Sequence, residues 1–141
     1  MRRLARWLLV AWEATRAVPV LAFIELGLRT GELPALCRLL GLSLDLDSGA
    51  PSATTPAVLP RRTRHAVRGS LLAVAHWPAG DTCLRRCLLL GHRLRELGPV
   101  LRIGVGRAPD GAFTAHSWLE LDGATFDPTA AGFAVLGSAG R

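Results

Sequence analysis

The fold is decided by residues 112–127, whose sequence is AFTAHSWLELDGATFD. Apolar and polar side chains alternate as far as Leu121, which predicts a β-strand because successive side chains of a strand point to opposite faces. The pair Asp122-Gly123 is a strong signal for a two-residue turn between antiparallel strands. The sequence therefore predicts a β-hairpin whose second strand carries Asp127.

The register of this hairpin puts His116 and Asp127 on the same face. The two-residue turn pairs Leu119 with Phe126, and these apolar residues lie on the opposite face. His116 and Asp127 then become diagonal neighbours, about 7 Å apart between backbones and within reach of each other's side chains. Asp122 lies in the turn and points away, so the register favours Asp127 as the carboxylate partner. The alternative is a solvated polar face on which the two residues have no joint role.

A helix is predicted upstream of the hairpin. Asp81 or Thr82 can cap it, apolar residues follow at helical spacing, and Gly98 before a proline ends it. Cys83 therefore falls in the first turn, where the helix dipole favours a thiolate. Cys87 lies one turn further on, within the apolar stripe, and is interpreted as a buried apolar residue.

Cys83, His116 and Asp127 form a candidate catalytic set. A thiol that attacks a carbonyl needs a base to take its proton, and the base needs a carboxylate to hold it in the right tautomer. Such partners need to be close in space and not in sequence. Judged from the residues alone, Cys83 is equally well explained as a packed free thiol, so both interpretations stay open at this point.

The same segments resemble the transglutaminase-like branch of the papain-type cysteine enzymes, in which a Cys opens a helix and a His and an Asp follow on neighbouring strands. The chain is more closely similar to the stand-alone leader peptidases of lasso-peptide biosynthesis, which are related to the C-terminal half of the microcin J25 maturation protein. The match rests on CLxR from Cys83, LRIGV from Leu101 and AHSWLExDG from Ala115. It covers about residues 61–130, and the family usually has Ala where this chain has Ser117.

The resemblance implies an α+β fold, with a papain/transglutaminase-like core in which a catalytic helix packs on a small antiparallel sheet behind an N-terminal helical region. It implies a cysteine peptidase with Cys83 as nucleophile, His116 as general base and acid, and Asp127 as the group that orients His116. The reaction would remove the leader from a ribosomally made lasso-peptide precursor, and a separate ATP-dependent cyclase similar to asparagine synthetase would then close the ring. A separate leader-binding protein would present the precursor.

Two alternatives keep the same fold. In a transglutaminase-like acyltransferase an amine, instead of water, would resolve the thioester on Cys83. In a non-catalytic adaptor the chain would bind the precursor peptide or the cyclase, and the intact set of Cys83, His116 and Asp127 argues against this second alternative.

Composition limits the partners. The chain has 141 residues with a net charge of +6, and all 17 basic residues are Arg, which favours an acidic peptide or surface as a partner. No nucleic-acid motif accompanies the charge, so nucleic acid is not expected. The densest basic cluster is a possible docking site for an acidic leader, and its alternative is a solvated helix face. The cluster consists of Arg61, Arg62, Arg64 and Arg68.

The cysteines predict free thiols. Their number is three, which is odd, and neither a disulfide framework nor a zinc motif is present. We therefore expect no metal and no cofactor. Free thiols, one of them catalytic, fit a reducing cytoplasm.

Four segments are expected along the chain. Residues 1–44 form a helical region, with helices at about 4–28 and 32–40, and its charged residues argue against a membrane span but leave peripheral contact open. Residues 45–60, rich in Ser, Ala, Thr and Pro, form a flexible connector. Residues 61–130 form the cysteine peptidase core, and residues 131–141 form a frayed tail.

Overall fold

The computed structural model describes residues 2–136 and has the expected α+β fold class. Within these residues four α-helices and five β-strands follow one another along the chain. The helices are α1 (Arg2–Thr30), α2 (Leu33–Leu40), α3 (Arg64–Ala75) and α4 (Cys83–Arg93), and the strands are β1 (Ser43–Asp45), β2 (Val100–Arg107), β3 (Phe113–Leu121), β4 (Ala124–Thr125) and β5 (Ala134–Val135).

The first helix, α1, is longer than expected and continues through Pro19 without interruption. Ala17, Leu21 and Ile24 recur at spacings of four and three residues, and all three are fully buried against the rest of the core. By length and composition α1 could also cross a membrane, although core helices and signal sequences pass the same test. The shorter α2 ends at Gly41, whose φ of 75° is the left-handed conformation that commonly closes a helix.

The sheet has the strand order β1-β2-β3-β4, with β5 beside β2. The hairpin of β3 and β4 has the predicted register, because Leu121 pairs with Ala124 across a turn in which Asp122 and Gly123 have φ of 50° and 73°. An antiparallel sheet is expected from the sequence resemblance. The pairing of β1 with β2 is parallel, however, so the sheet is mixed. Parallel pairing joins segments distant in sequence and leaves no local pattern that predicts it.

The core lies between the sheet and the helices. Leu88 and Leu89 of α4 are fully buried, as are Leu101 of β2 and Leu119 of β3 on the facing side of the sheet. Each such side chain stabilises the fold by roughly 1.5–3 kcal/mol relative to an exposed position. This packing fixes the first turns of α4 relative to β3.

The opposite face of the sheet carries a buried polar network. Arg102 lies 3.2 Å from Asp45 and 3.5 Å from Glu120, measured between side-chain nitrogen and carboxylate oxygen. The indole N–H of Trp118 donates to Glu120 at 3.0 Å. Because a buried charge is costly unless it is paired, Arg102 and its two carboxylates tie this face together.

Residues 45–60, expected to be a flexible connector, run across this polar face. The backbone N–H of Ala53 donates to Glu120 at 2.9 Å, and Arg102 donates to the carbonyl of Ala50 at 2.5 Å. Next to β4, the N–H of Thr125 donates to the carbonyl of Thr55 at 2.8 Å. The segment therefore covers the second face of the sheet.

The last described residues of the chain return to the sheet. β5 pairs antiparallel with β2 at Gly104 and Val105, and Val135 is buried. These residues belong to the expected frayed tail, and the remaining part of that tail, residues 137–141, lies outside the described residues.

Candidate active site

Helix α4 begins at Cys83, as the sequence predicts. Thr82 is its cap, because its hydroxyl oxygen accepts a hydrogen bond from the backbone N–H of Arg85 at 3.3 Å. Cys83 is the first helical residue and is half-buried. Its backbone N–H belongs to the first turn, where N–H groups have no partner within the helix. The α-helix stops at Arg93, earlier than expected, and a 3-10 turn continues to Leu97.

Two ion pairs hold the N-terminal end of this helix in place. Arg85 contacts Glu25 of α1 at 2.9 Å, and Arg86 contacts Asp81 at 2.6 Å. The hydrogen bond from Arg85 is the main reason that the pKa of Glu25 lies below its ordinary value. The first turn of α4 is therefore tied both to α1 and to the loop before it.

The next turn of α4 lies directly against the strand that carries His116. The thiol of Cys87 donates to the carbonyl of Ser117 at 3.3 Å. The pKa of Cys87 is raised to about 12, mainly by burial, with smaller contributions from the neighbouring Cys83 and Asp127. Cys87 is thus the buried residue expected from its position, and both Cys83 and Asp127 are close enough to affect it.

His116 and Asp127 meet as expected, although β4 ends at Thr125 and Asp127 lies beyond it, as the cap of a 3-10 turn from Pro128 to Gly132. Nε2 of His116 lies 2.6 Å from Oδ2 of Asp127. The other oxygen, Oδ1, accepts hydrogen bonds from the backbone N–H and the hydroxyl of Thr129, at 2.8 and 2.6 Å. Burial alone would raise the pKa of Asp127, but the hydrogen bonds from Thr129 and His116 outweigh it and lower that pKa. Asp127 is therefore held as a carboxylate against the imidazole.

Two aromatic rings enclose the imidazole of His116. The ring of Trp118 is stacked at 6.1 Å between centroids, and the ring of Phe133 lies at 4.8 Å. Both residues approach Gly104, where an added Cβ would come within 2.9 Å of the Trp118 ring and 3.0 Å of Cβ of Phe133. Sequence reasoning missed Phe133, because residues 131–141 show no strand pattern. The available signal was Gly104 within β2, since a glycine in a strand often marks a site where another part of the chain packs closely against the backbone.

The structure joins His116 to Asp127 but leaves Cys83 without a hydrogen bond to either of them. Within residues 2–136, the other ring nitrogen of His116, Nδ1, makes no hydrogen bond. The same residues contain no group of three or more His, Cys, Asp or Glu side chains that could hold a metal ion.

The predicted docking arginines lie on and before α3. Arg61 and Arg62 belong to a 3-10 turn, whereas Arg64 and Arg68 belong to α3 itself. All four are exposed. They lie on a different element from Cys83, His116 and Asp127.

The chain belongs to the transglutaminase-like superfamily, whose family model matches residues 22–138. The match starts within α1 and includes α4 and the hairpin with Cys83, His116 and Asp127. Cysteine peptidase and acyltransferase activities are common in this superfamily. No curated protein and no solved structure gives a significant match to the chain.

Proposed function

We propose that this chain is a cysteine peptidase that removes the leader from a ribosomally made lasso-peptide precursor. The observation that carries the chemistry is the 2.6 Å pair of His116, on the strand against which the Cys83 helix packs, and Asp127, which lies just after β4. Superfamily membership supports a cysteine enzyme. The choice of substrate depends on the resemblance of the CLxR and AHSWLExDG segments to lasso-peptide leader peptidases.

In the proposed reaction Nδ1 of His116 takes the proton of the Cys83 thiol, and the sulfur attacks the carbonyl carbon of the scissile peptide bond. The backbone N–H of Cys83 donates to the oxyanion of the tetrahedral intermediate. The imidazolium, stabilised by Asp127, then protonates the leaving amine as the C–N bond breaks. Water, deprotonated by His116, hydrolyses the thioester and restores the thiol.

The partners follow from the proposed reaction. The substrate is a disordered peptide, and ordering it on a small domain costs free energy. A separate leader-binding protein that holds the precursor raises its effective concentration and offsets this cost. The lasso cyclase would receive the cleaved core peptide. A cytoplasmic location fits the three cysteines, which are all free thiols.

The acyltransferase alternative shares the first half of this mechanism. The thioester on Cys83 would then be resolved by an amine, which displaces the sulfur and forms a new amide bond. Acyltransferases are common in the same superfamily. Analysis of the reaction products therefore has to distinguish attack by water from attack by an amine. A free carboxyl end on the leader indicates hydrolysis, and a leader joined to an amine indicates acyl transfer.

The direct test replaces each of the two cysteines of α4 in turn. Mass spectrometry follows the precursor in the presence of its leader-binding protein. Cys83→Ala should abolish cleavage, because the nucleophile is lost. Cys87→Ala should retain measurable cleavage, because Cys87 is buried and takes no part in the proposed reaction. Circular dichroism establishes that both variants are folded. Full cleavage by folded Cys83→Ala would contradict the proposal.

A further inference from the structure

A groove separate from the candidate active site lies between α1 and α3. It encloses about 540 Å³. Trp7 of α1 and Leu71 and Leu72 of α3 supply apolar side chains to it. Its basic residues are Arg3, Arg6 and Arg68, together with His65.

The apolar side chains of this groove are exposed to an unusual degree. Trp7 has 69% of its surface accessible, and Leu71 and Leu72 have 39% and 41%. The exposed apolar surface continues along α1 through Leu4 and Leu8. A contiguous apolar patch on a soluble domain commonly marks a binding surface. The groove therefore offers apolar side chains that a ligand can cover.

The charges around the groove are all of one sign. Within residues 2–136, neither Arg3 nor Arg6 nor Arg68 forms an ion pair. The first acidic residue of the chain is Glu13, which is occupied by Arg16 and Arg93. Among the residues that the structure describes, no Asp or Glu lines the groove. The complementary ligand thus carries carboxylates around an apolar anchor.

Tight helix packing adjoins the groove. A Cβ on Gly69 would lie 2.6 Å from Cβ of Glu13 and 2.7 Å from the backbone nitrogen of Ala14, so α3 approaches α1 very closely there. The groove residues of α1 all precede this contact. The result is a concave site, which fits a side chain from a peptide better than the flat surface of a bilayer.

We propose that this groove docks an acidic amphipathic segment of a partner protein. An aromatic or aliphatic side chain of the segment fills the apolar part, as in other cases where a helix binds in a groove. Flanking Asp or Glu residues pair with Arg3, Arg6 and Arg68. The role of that partner in presenting a precursor depends on the proposed function, whereas the docking chemistry does not.

The test is a peptide selection with the full chain carrying Cys83→Ala, which prevents cleavage. A displayed library of random peptides is selected against this protein. We expect enrichment of sequences with Asp or Glu beside aromatic or leucine residues at helical spacing. The best acidic peptide is then synthesised, labelled and measured by fluorescence anisotropy. No acidic enrichment would overturn the proposal.

Charge-reversal variants test whether the labelled peptide binds at the groove. Arg6→Glu with Arg68→Glu should weaken binding of the labelled peptide by roughly 10-fold or more, because attraction becomes repulsion. The matched control, Arg38→Glu with Arg107→Glu, changes the net charge equally at exposed positions outside the groove. It should leave the affinity within about 2-fold. Equal losses in both pairs, or no loss in either, would overturn the proposal.

Lipid vesicles test the alternative that the groove binds a membrane surface and not a peptide. Sedimentation with vesicles of phosphatidylglycerol and phosphatidylcholine should not separate wild type from Arg6→Glu with Arg68→Glu. Wild-type sedimentation that this pair abolishes would assign the groove to a membrane and overturn the proposal. Since all these measurements report binding and none requires cleavage by Cys83, their failure would leave the peptidase proposal intact, and failure of the peptidase proposal would leave them valid.

Discussion

Asp127 is held from several directions. One carboxylate oxygen accepts two hydrogen bonds from Thr129, the other contacts His116, and the backbone N–H donates to the hydroxyl of Thr125 at 3.1 Å. Such a carboxylate needs little rearrangement when a charge develops on the imidazole. Asp122 has a different environment, being exposed in the turn with a φ of 50°.

We therefore expect substitutions of Asp127 and Asp122 to affect activity differently. Asp127→Asn should lower kcat/KM for precursor cleavage by at least about 100-fold, given the loss of about 10⁴-fold for the equivalent change in a serine protease. Thr129 can still donate to the Asn oxygen, so the fold should be kept. Asp122→Asn is the matched control and should be mild, because Asn-Gly suits this turn as well as Asp-Gly. Equal losses would show that His116 does not depend on Asp127.

At the level of secondary-structure elements, α1 and α3 approach each other at Gly69. Helix propensity favours Ala over Gly by about 1 kcal/mol in a helix interior. The Cβ of that Ala would meet the backbone nitrogen of Ala14 at 2.7 Å, and a backbone atom cannot turn aside as a flexible side chain can. The free-energy cost of this steric clash should therefore exceed the gain in helix propensity.

We expect Gly69→Ala to lower the free energy of unfolding by roughly 1–3 kcal/mol, as overpacked cores usually do. Urea denaturation followed by circular dichroism measures the change. Gly132→Ala is the matched control, since no atom lies within 4 Å of the added Cβ, and it should change stability by less than about 1 kcal/mol. A Gly69→Ala protein as stable as wild type would show that the helices separate easily here.

The whole molecule combines parts that the sequence predicts with parts that it does not. Helix α4 and the hairpin were predictable because their spacings and their turn are local signals. The parallel pairing of β1, the return of β5 and the cover formed by residues 45–60 join segments far apart in the chain. The two strand pairings use backbone hydrogen bonds that need no particular side-chain pattern, and the cover depends on the distant side chains of Arg102 and Glu120, so the local sequence specifies none of them.

The candidate site divides in the same way. The pair of His116 and Asp127 follows from one hairpin, so period and turn type were enough to predict it. Phe133 reaches His116 from a segment of small residues, and only the glycines of β2 indicate the space that it fills. The groove between α1 and α3 depends on the packing of two helices, which helix periodicity alone does not define.

The central claim, that Cys83 is a nucleophile activated by His116, is tested most directly by the rate and site of thiol alkylation. Native protein is treated with iodoacetamide at neutral pH and mapped by peptide mass spectrometry. Cys83 should be labelled first, since it is half-buried whereas Cys37 and Cys87 are buried, with pKa values raised by burial to about 11 and about 12. A raised thiol pKa keeps these two protonated and unreactive at neutral pH, so they should react only after denaturation.

The decisive comparison in that experiment is His116→Ala, because loss of the base should slow alkylation of Cys83 by roughly 10-fold or more without redirecting it. Labelling of Cys37 or Cys87 before Cys83 in the native wild type would contradict the account. So would an alkylation rate of Cys83 that is the same in wild type and in folded His116→Ala.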